Sequence, residues 1–387
     1  MEDDGAELRV RSARLRGHPP FPTWNGTVAA PSEDARGLCS VLGADGELVV
    51  LRNSCKRGEQ EAADSWLSVV KVLPPSEGTL SSFCQCWTSD GAVVATAHDR
   101  RVAIYCGEDF RVLAKLQLRY CVTSMDVVKR EQTEELLLMV GTAFGSFLYK
   151  VAVESKENEG ADVEKEDQAP KPVARLHDGV AVGFVKFSHD AKTAAMGTMD
   201  GRLFLRSFAS HDDNVLTTFG VEVLSRVLSA PRITGMSFSA CSTKLVVATR
   251  KGNVYVFARA SDTGRWAPWP SCSSLSANPK PKAGGVAGTN KAATSAQTLV
   301  TWWGPVFVVC SRAITSRIEM YDFASGYLLH SLQLAPTAAN QFAEQHLVTG
   351  ICSLWQPDGS ARLLCHDSGA NLAVVQWPFL DVIGGKQ

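Results

Sequence analysis

The chain contains no run of about 18 apolar residues, so no stretch of it reads as a membrane-crossing helix. Its first residues, Met1-Glu2-Asp3-Asp4-Gly5, are acidic and lack the apolar centre of a secretory leader. An excess of charge of either sign is also missing. The 39 Lys and Arg offset 40 Asp and Glu to a formal net charge of −1, which offers no global attraction for nucleic acid or an anionic membrane. Helical periodicity is scarce, with one short amphipathic stretch at 340–346. The chain has no Gly-x-Ser-x-Gly, no phosphate-binding Gly-x-x-x-x-Gly-Lys-Ser/Thr and no His-Glu-x-x-His. None of the eight histidines pairs with another at metal-ligand spacing, and His98-Asp99 and His211-Asp212-Asp213 read as polar turns. No cofactor and no small-molecule substrate is indicated. An enzyme that gathers its site from distant segments would escape this motif search.

The eleven cysteines are an odd number, scattered singly in or beside apolar stretches. The nearest pair, Cys84 and Cys86, has strand spacing and no distant second pair to complete a zinc site. They read as buried free thiols in a reducing compartment, cytosol or nucleus. In that setting the sequon Asn25-Gly26-Thr27 carries no glycan.

What the chain does have is ordinary globular composition, 45% hydrophobic and 20% charged, and a recurring pattern. Trp87-Thr88-Ser89-Asp90-Gly91, Phe187-Ser188-His189-Asp190-Ala191 and Phe238-Ser239-Ala240-Cys241-Ser242 each end one strand and turn. A strand of small apolar residues follows each, then a Gly or Asp turn and an alternating strand. A strand unit recurring at about 40–60 residues is the signature of a β-propeller. Strand candidates fall into seven clusters. They are 38–42 and 47–52; 82–87, 92–97, 102–106 and 112–118; 122–128, 136–140 and 146–153; and 183–188, 193–197, 203–208 and 215–221. The last three are 233–237, 244–248 and 253–259; 298–302, 306–310, 317–323 and 327–334; and 348–355, 361–365 and 372–377. The expected fold is all-β, one propeller over residues 1–387 with seven four-stranded blades, or six if 38–52 joins a neighbouring sheet.

Two stretches break the pattern. Residues 154–171 are mostly acidic and end in Ala169-Pro170-Lys171-Pro172, and residues 270–295 are Ser, Ala, Gly, Pro and Lys with almost nothing large and apolar. Both read as flexible loops between blades, serving as spacers or as partner-binding segments. Residues 8–16 largely alternate apolar and basic, which suits either an outer strand closing the ring against the last cluster or a basic arm. The closing strand would need a bulge near Ala13, because Leu15 breaks the even spacing of Leu8, Val10 and Ser12. Trp266 and Trp269, in Arg265-Trp266-Ala267-Pro268-Trp269-Pro270, are candidate interface anchors, with local packing as the alternative.

The stretch Leu176-His177-Asp178-Gly179, through Val185-Lys186-Phe187-Ser188-His189-Asp190, to Asp200-Gly201-Arg202-Leu203-Phe204-Leu205 resembles a WD40 repeat, and Tyr321-Asp322 looks like the pair that closes one. The resemblance covers about residues 38–378, without the full signature in any repeat. It implies a buried intra-blade network drawing on His177, Thr198 and Asp200, although Arg206 stands where the family has Trp. The marks of two specialised propellers are absent: the Phe-Arg-Arg-Gly of phosphoinositide binders and the Trp-Asp-x-Arg of cullin-ligase receptors. The resulting expectation is a non-catalytic scaffold for protein–protein interaction within a multiprotein assembly. The alternative is an enzyme or small-ligand binder with its site at the central channel. Polar residues converging there, with a titratable pair in hydrogen-bond reach, would favour the alternative.

Overall fold

The computed structural model describes residues 9–14, 28–31, 37–43, 46–53, 67–74, 83–130, 135–151, 171–177, 179–208, 221–228, 232–261, 263–269, 275–276, 298–303, 306–311, 317–333, 348–355, 361–367 and 371–376. They form seven antiparallel blades of a β-propeller, and no helix occurs among the described residues.

Each blade runs outward from the channel in chain order, as consecutive short strands joined by tight turns dictate. Blade one is Val28–Ala29, Leu38–Leu42, Leu48–Asn53 and Leu67–Leu73. Blade two is Phe83–Trp87, Val93–His98, Arg101–Cys106 and Val112–Gln117. Blade three is Val122–Lys129, Leu136–Thr142, Gly145–Val151 and Ala174–Leu176. Blade four is Val182–Phe187, Thr193–Thr198, Arg202–Ser207 and Val221–Val227. Blade five is Ile233–Phe238, Lys244–Thr249 and Asn253–Arg259, its outer edge shared by two short strands, Trp266–Pro268 and Leu275–Ser276. Blade six is Thr298–Trp303, Val306–Ser311, Arg317–Asp322 and Leu328–Gln333. Blade seven is Val348–Trp355, Ala361–Asp367 and Asn371–Gln376, and its fourth strand is Arg9–Arg14 from the other end of the chain.

That last pairing runs from Arg9 opposite Gln376 to Arg14 opposite Asn371, residue for residue. The bulge expected near Ala13 is absent. The ladder stops at Arg14, before Leu15 can break the spacing, and Leu15 lies outside the described residues.

The second strand of each blade is flanked by neighbouring blades on both faces, which explains its nearly continuous apolar sequence. Every residue of Leu136–Thr142 and of Thr193–Thr198 is buried. Alternate residues serve opposite seams. Leu245 and Val247 pack toward blade four with Phe238, while Val246 and Ala248 pack toward blade six with Phe307 and Tyr321. One apolar cluster straddles every junction around the ring, the junction of blade seven with blade one included.

The recurring polar turn has a shared chemical basis. Thr88, Ser188 and Ser239 each accept a hydrogen bond from a backbone N–H five residues on, at 3.0, 2.9 and 3.1 Å. Each also reaches the side chain two residues on: Thr88 and Ser188 donate to Asp90 and Asp190 at 2.6 Å, and Ser239 meets Cys241 at 3.3 Å. The fourth residue of each turn has positive φ. Gly91 adopts this freely, whereas Ala191 (54°) and Ser242 (59°) take it under the strain of a Cβ. Ser242 gains a compensating contact, its hydroxyl accepting from the Asp190 N–H at 3.0 Å.

Some outer strands depart from expectation. In blade four the strand is Val221–Val227, where 215–221 was expected, because the ladder with Arg202–Ser207 takes the alternating run Val221-Glu-Val-Leu. Leu275–Ser276 lies inside the expected loop 270–295 and pairs with Asn253 and Val254. The remainder of that loop (270–274 and 277–295), residues 154–170 of the other, and the helical stretch at 340–346 lie outside the described residues.

Candidate functional site

The innermost strands of the seven blades surround a central cavity of about 260 Å³. Most of its wall is apolar, thiol or hydroxyl: Val127, Met236, Cys84, Cys352, Ser124 and Thr301 all face it. Among the described residues, one pair of opposite charges stands in that wall. Lys186 Nζ donates to Asp126 Oδ1 at 2.9 Å, and the backbone N–H of Phe187 donates to Asp126 Oδ2 at 2.7 Å. Asp126 is 6% exposed and belongs to blade three; Lys186 belongs to blade four and is 40% exposed along the channel. A titratable pair within hydrogen-bond reach is therefore present in the channel.

Burial opposes the charge on Lys186, but Asp126 outweighs that cost and holds the ammonium above its ordinary value. The neighbouring thiols move the other way. Burial pushes Cys84 up to about 12. Burial, with the Asp126 carboxylate adding to it, puts Cys86 well above its ordinary value, and burial raises Cys352 likewise. At neutral pH all three are thiols, the form that is neither nucleophile nor metal ligand. His189, at the mouth of the channel, is lowered by burial and then by Lys186. Among the described residues no group of three or more His, Cys, Asp or Glu is arranged to hold a metal ion.

Other polar groups around the channel also bridge blades. Trp87 Nε1 of blade two donates to Ser40 Oγ of blade one at 2.7 Å, and Ser40 donates to Gln85 Oε1 at 2.5 Å. Thr123 donates to the Val182 carbonyl at 2.6 Å, Thr234 to that of Thr298 at 3.0 Å, and Trp302 Nε1 to that of Ser237 at 2.8 Å. Ser353 of blade seven reaches the Trp302 carbonyl. Ser124, 5% exposed, has no hydrogen-bond partner for its hydroxyl among the described residues.

The residues singled out from sequence lie away from the channel. Thr198 and Asp200 meet in the hairpin turn of blade four, where Thr198 donates to Asp200 and accepts from the Arg202 N–H at 2.8 Å. Arg202 closes the group by pairing with Asp200 at 3.0 Å. His177 is not hydrogen-bonded into that turn. Its ring stacks on Phe204 at 3.9 Å, its Nε2 is buried with no partner among the described residues, and burial and then Arg206 lower its pKa. Trp266 is 5% exposed and meets Phe238 edge-on at 5.9 Å. Trp269 is half-buried and packs against Phe323 at 4.5 Å, so both tryptophans rest on blade walls.

Sequence reading missed Asp126 and Lys186, although a signal was present. Lys186 is the charge in the otherwise apolar strand Val182–Phe187, four residues after Val182, and Asp126 holds the matching place in Val122–Lys129, four residues after Val122. Equal positions in adjacent blades meet across the seam.

No protein-family model matches the chain, and no curated protein matches it. Among solved structures it is similar to the β-propeller domain of Cps50 (Swd1) from Myceliophteria thermophila. The identity is 12%, the alignment covers 95% of this chain and 99% of that one, and the TM-score is 0.62. At that identity the likeness speaks for the fold alone. In all, 1612 solved chains match, so a fold so widely shared does not single out a function.

Proposed function

We propose that the chain is a non-catalytic scaffold, a propeller subunit of an intracellular multiprotein assembly whose partners are other proteins. The observation that carries this reading is how the channel pair of Asp126 and Lys186 is used. Both carboxylate oxygens of Asp126 are taken, one by the Lys186 ammonium and one by the Phe187 N–H, and both bonds cross from blade three to blade four. A catalytic acid or base must be aimed at a substrate, whereas the described bonds of Asp126 point across the blade seam. The adjacent thiols, held protonated, supply no nucleophile. Among the described cysteines Cys39, Cys84, Cys86 and Cys365 are buried free thiols, as expected, which fits a cytosolic or nuclear setting, whereas Cys121 and Cys241 are exposed.

A second reading, a small-ligand binder, is favoured by the presence of that titratable pair and by the unpaired hydroxyl of Ser124 at the same wall. The cavity size counts against it: about 260 Å³ falls short of the roughly 300–1,000 Å³ of ordinary ligand pockets.

Native mass measurement on gently prepared extract separates the two. A scaffold runs in a particle well above its own 41.7 kDa with stoichiometric partners. Recovery as a free chain sinks the reading.

A further inference from the structure

The two ends of the ring differ in charge. One end carries the hairpin turns between the second and third strands of each blade, together with the links from one blade to the next. Backbone bonds weld these into a continuous surface over blades two to five. Leu118 N–H donates to the Arg100 carbonyl at 2.7 Å, Gly179 to Phe144 at 3.1 Å, Leu228 to Gly201 at 2.9 Å and Arg250 to Arg232 at 2.9 Å.

Arg100, Arg101, Arg119, Arg226, Arg250 and Lys251 are all exposed on that surface. The acids described there are Asp99 and Asp200, and Asp200 is already bound by Arg202 and Thr198. A chain whose total charge is −1 thus gathers cations on one end of four consecutive blades. Apolar groups stand among them. Phe144 is 55% exposed and Val227 71% exposed. Phe144 lies 4.8 Å from Tyr120, and the Arg119 guanidinium sits 5.3 Å from the centre of the Tyr120 ring.

We propose that this end of blades two to five docks an acidic segment of a partner protein that carries an apolar or aromatic side chain beside its carboxylates. The proposal rests on the scaffold reading and names the partner's chemistry. Arginines and aromatics are the residue types that anchor interfaces, and a local excess of cations selects and steers an acidic partner. The fixed guanidinium of Arg119 presents a planar fork suited to a carboxylate. Phe144 offers a neighbouring apolar contact that charge alone would not need.

Single-stranded nucleic acid is the competing occupant, and the geometry favours it less. Base stacking needs an open aromatic face. Tyr120 is covered by Phe144, by Phe147 stacked at 5.5 Å, and by Arg119. The cations are also interrupted by Asp99 and Asp200, where a track for phosphates would be continuous.

The test is fluorescence anisotropy on the full chain with a short labelled peptide of Glu and Asp around a central Phe. Its controls are the same peptide with Lys for the acids and a single-stranded RNA oligonucleotide. The acidic peptide should bind, weaken with salt, and lose about tenfold in affinity on Arg119→Glu and again on Phe144→Ala. Both variants should melt with the wild type. Lys192→Glu, an exposed change at the opposite end of blade four, should leave binding unchanged. Absence of acidic-peptide binding, indifference to Arg119→Glu, or tighter binding of the oligonucleotide would each overturn the proposal. The scaffold reading fails separately, if the wild type runs free in native extract. If the wild type runs in a particle that also retains the Arg119→Glu, Phe144→Ala variant, the scaffold stands and this surface is wrong.

Discussion

Charged groups lead opposite lives at the channel and at the basic end of blades two to five. In the channel, Asp126 bonds both Lys186 and the Phe187 backbone across a seam, holding two blades together. On the end surface, Arg100, Arg119 and Arg250 stand exposed and outnumber the acids described near them. The difference teaches that a titratable pair at the centre of a ring is not itself evidence of chemistry. What counts is whether its donors and acceptors are already consumed by the fold.

The largest effect should come from breaking the channel pair on one side. Asp126→Ala leaves the Lys186 ammonium and the Phe187 N–H without their acceptor and should cost about 2–4 kcal/mol in chemical denaturation. The double change Asp126→Asn, Lys186→Met, which removes both charges, keeps the volume and leaves an amide oxygen to accept from the Phe187 N–H, should lie within about 1 kcal/mol of wild type. Equal losses in the single and double variants would show that the pair does something other than join blades.

Acidification comes next. His189 and His177 both have folded values below their ordinary one, burial being the first cause in each. The unfolded chain therefore takes up protons first, at about pH 6.5. Stability is fully present above that value and falls as pH drops through it. The charges facing His189 are Lys186, Asp126 and Asp190. Removing the titration with His189→Gln should flatten part of the decline in melting temperature between about pH 7 and 5.5. An unchanged slope would mean His189 contributes nothing to it.

Smaller still is the repair of the blade-five turn. Cys241 stands where blades two and four have Asp90 and Asp190, whose carboxylates also accept from backbone N–H groups at 2.9 and 3.0 Å. Cys241→Asp should raise stability by about 0.5–1 kcal/mol. The smallest effect belongs to the end surface. Arg119→Glu should shift thermal stability by no more than about 0.5 kcal/mol, since the side chain is exposed and serves no seam. A large loss there would erase the contrast between the two regions.

Legibility in the sequence followed burial. Strands such as Leu136–Thr142 are covered on both faces, so their apolar runs announced themselves. Outer strands have one covered face and are often short. Val28–Ala29 is two residues long and left no pattern, and Leu67–Leu73 carries exposed Val69 and Val72 behind a charged run. The Thr88–Asp90 and Ser188–Asp190 turns were visible as a repeated polar pair because their partners lie two residues apart. Asp126 and Lys186 are 60 residues apart and meet only because adjacent blades share a register. Likewise, the basic end is assembled from the hairpin turns of blades two and five, the link from blade two to blade three and the outer strand of blade four, each with only one or two of the named cations.

The central claim is that partner binding lies on the end surface and that the channel holds the ring together. Tagged versions of the neutral channel variant (Asp126→Asn, Lys186→Met) and the end-surface variant (Arg119→Glu, Phe144→Ala) can be expressed in the native cell. Their share in the high-mass particle is then measured against wild type. The account predicts that the channel variant stays in the particle and the end-surface variant is lost from it while still folded. Retention of the end-surface variant with loss of the folded channel variant would contradict it.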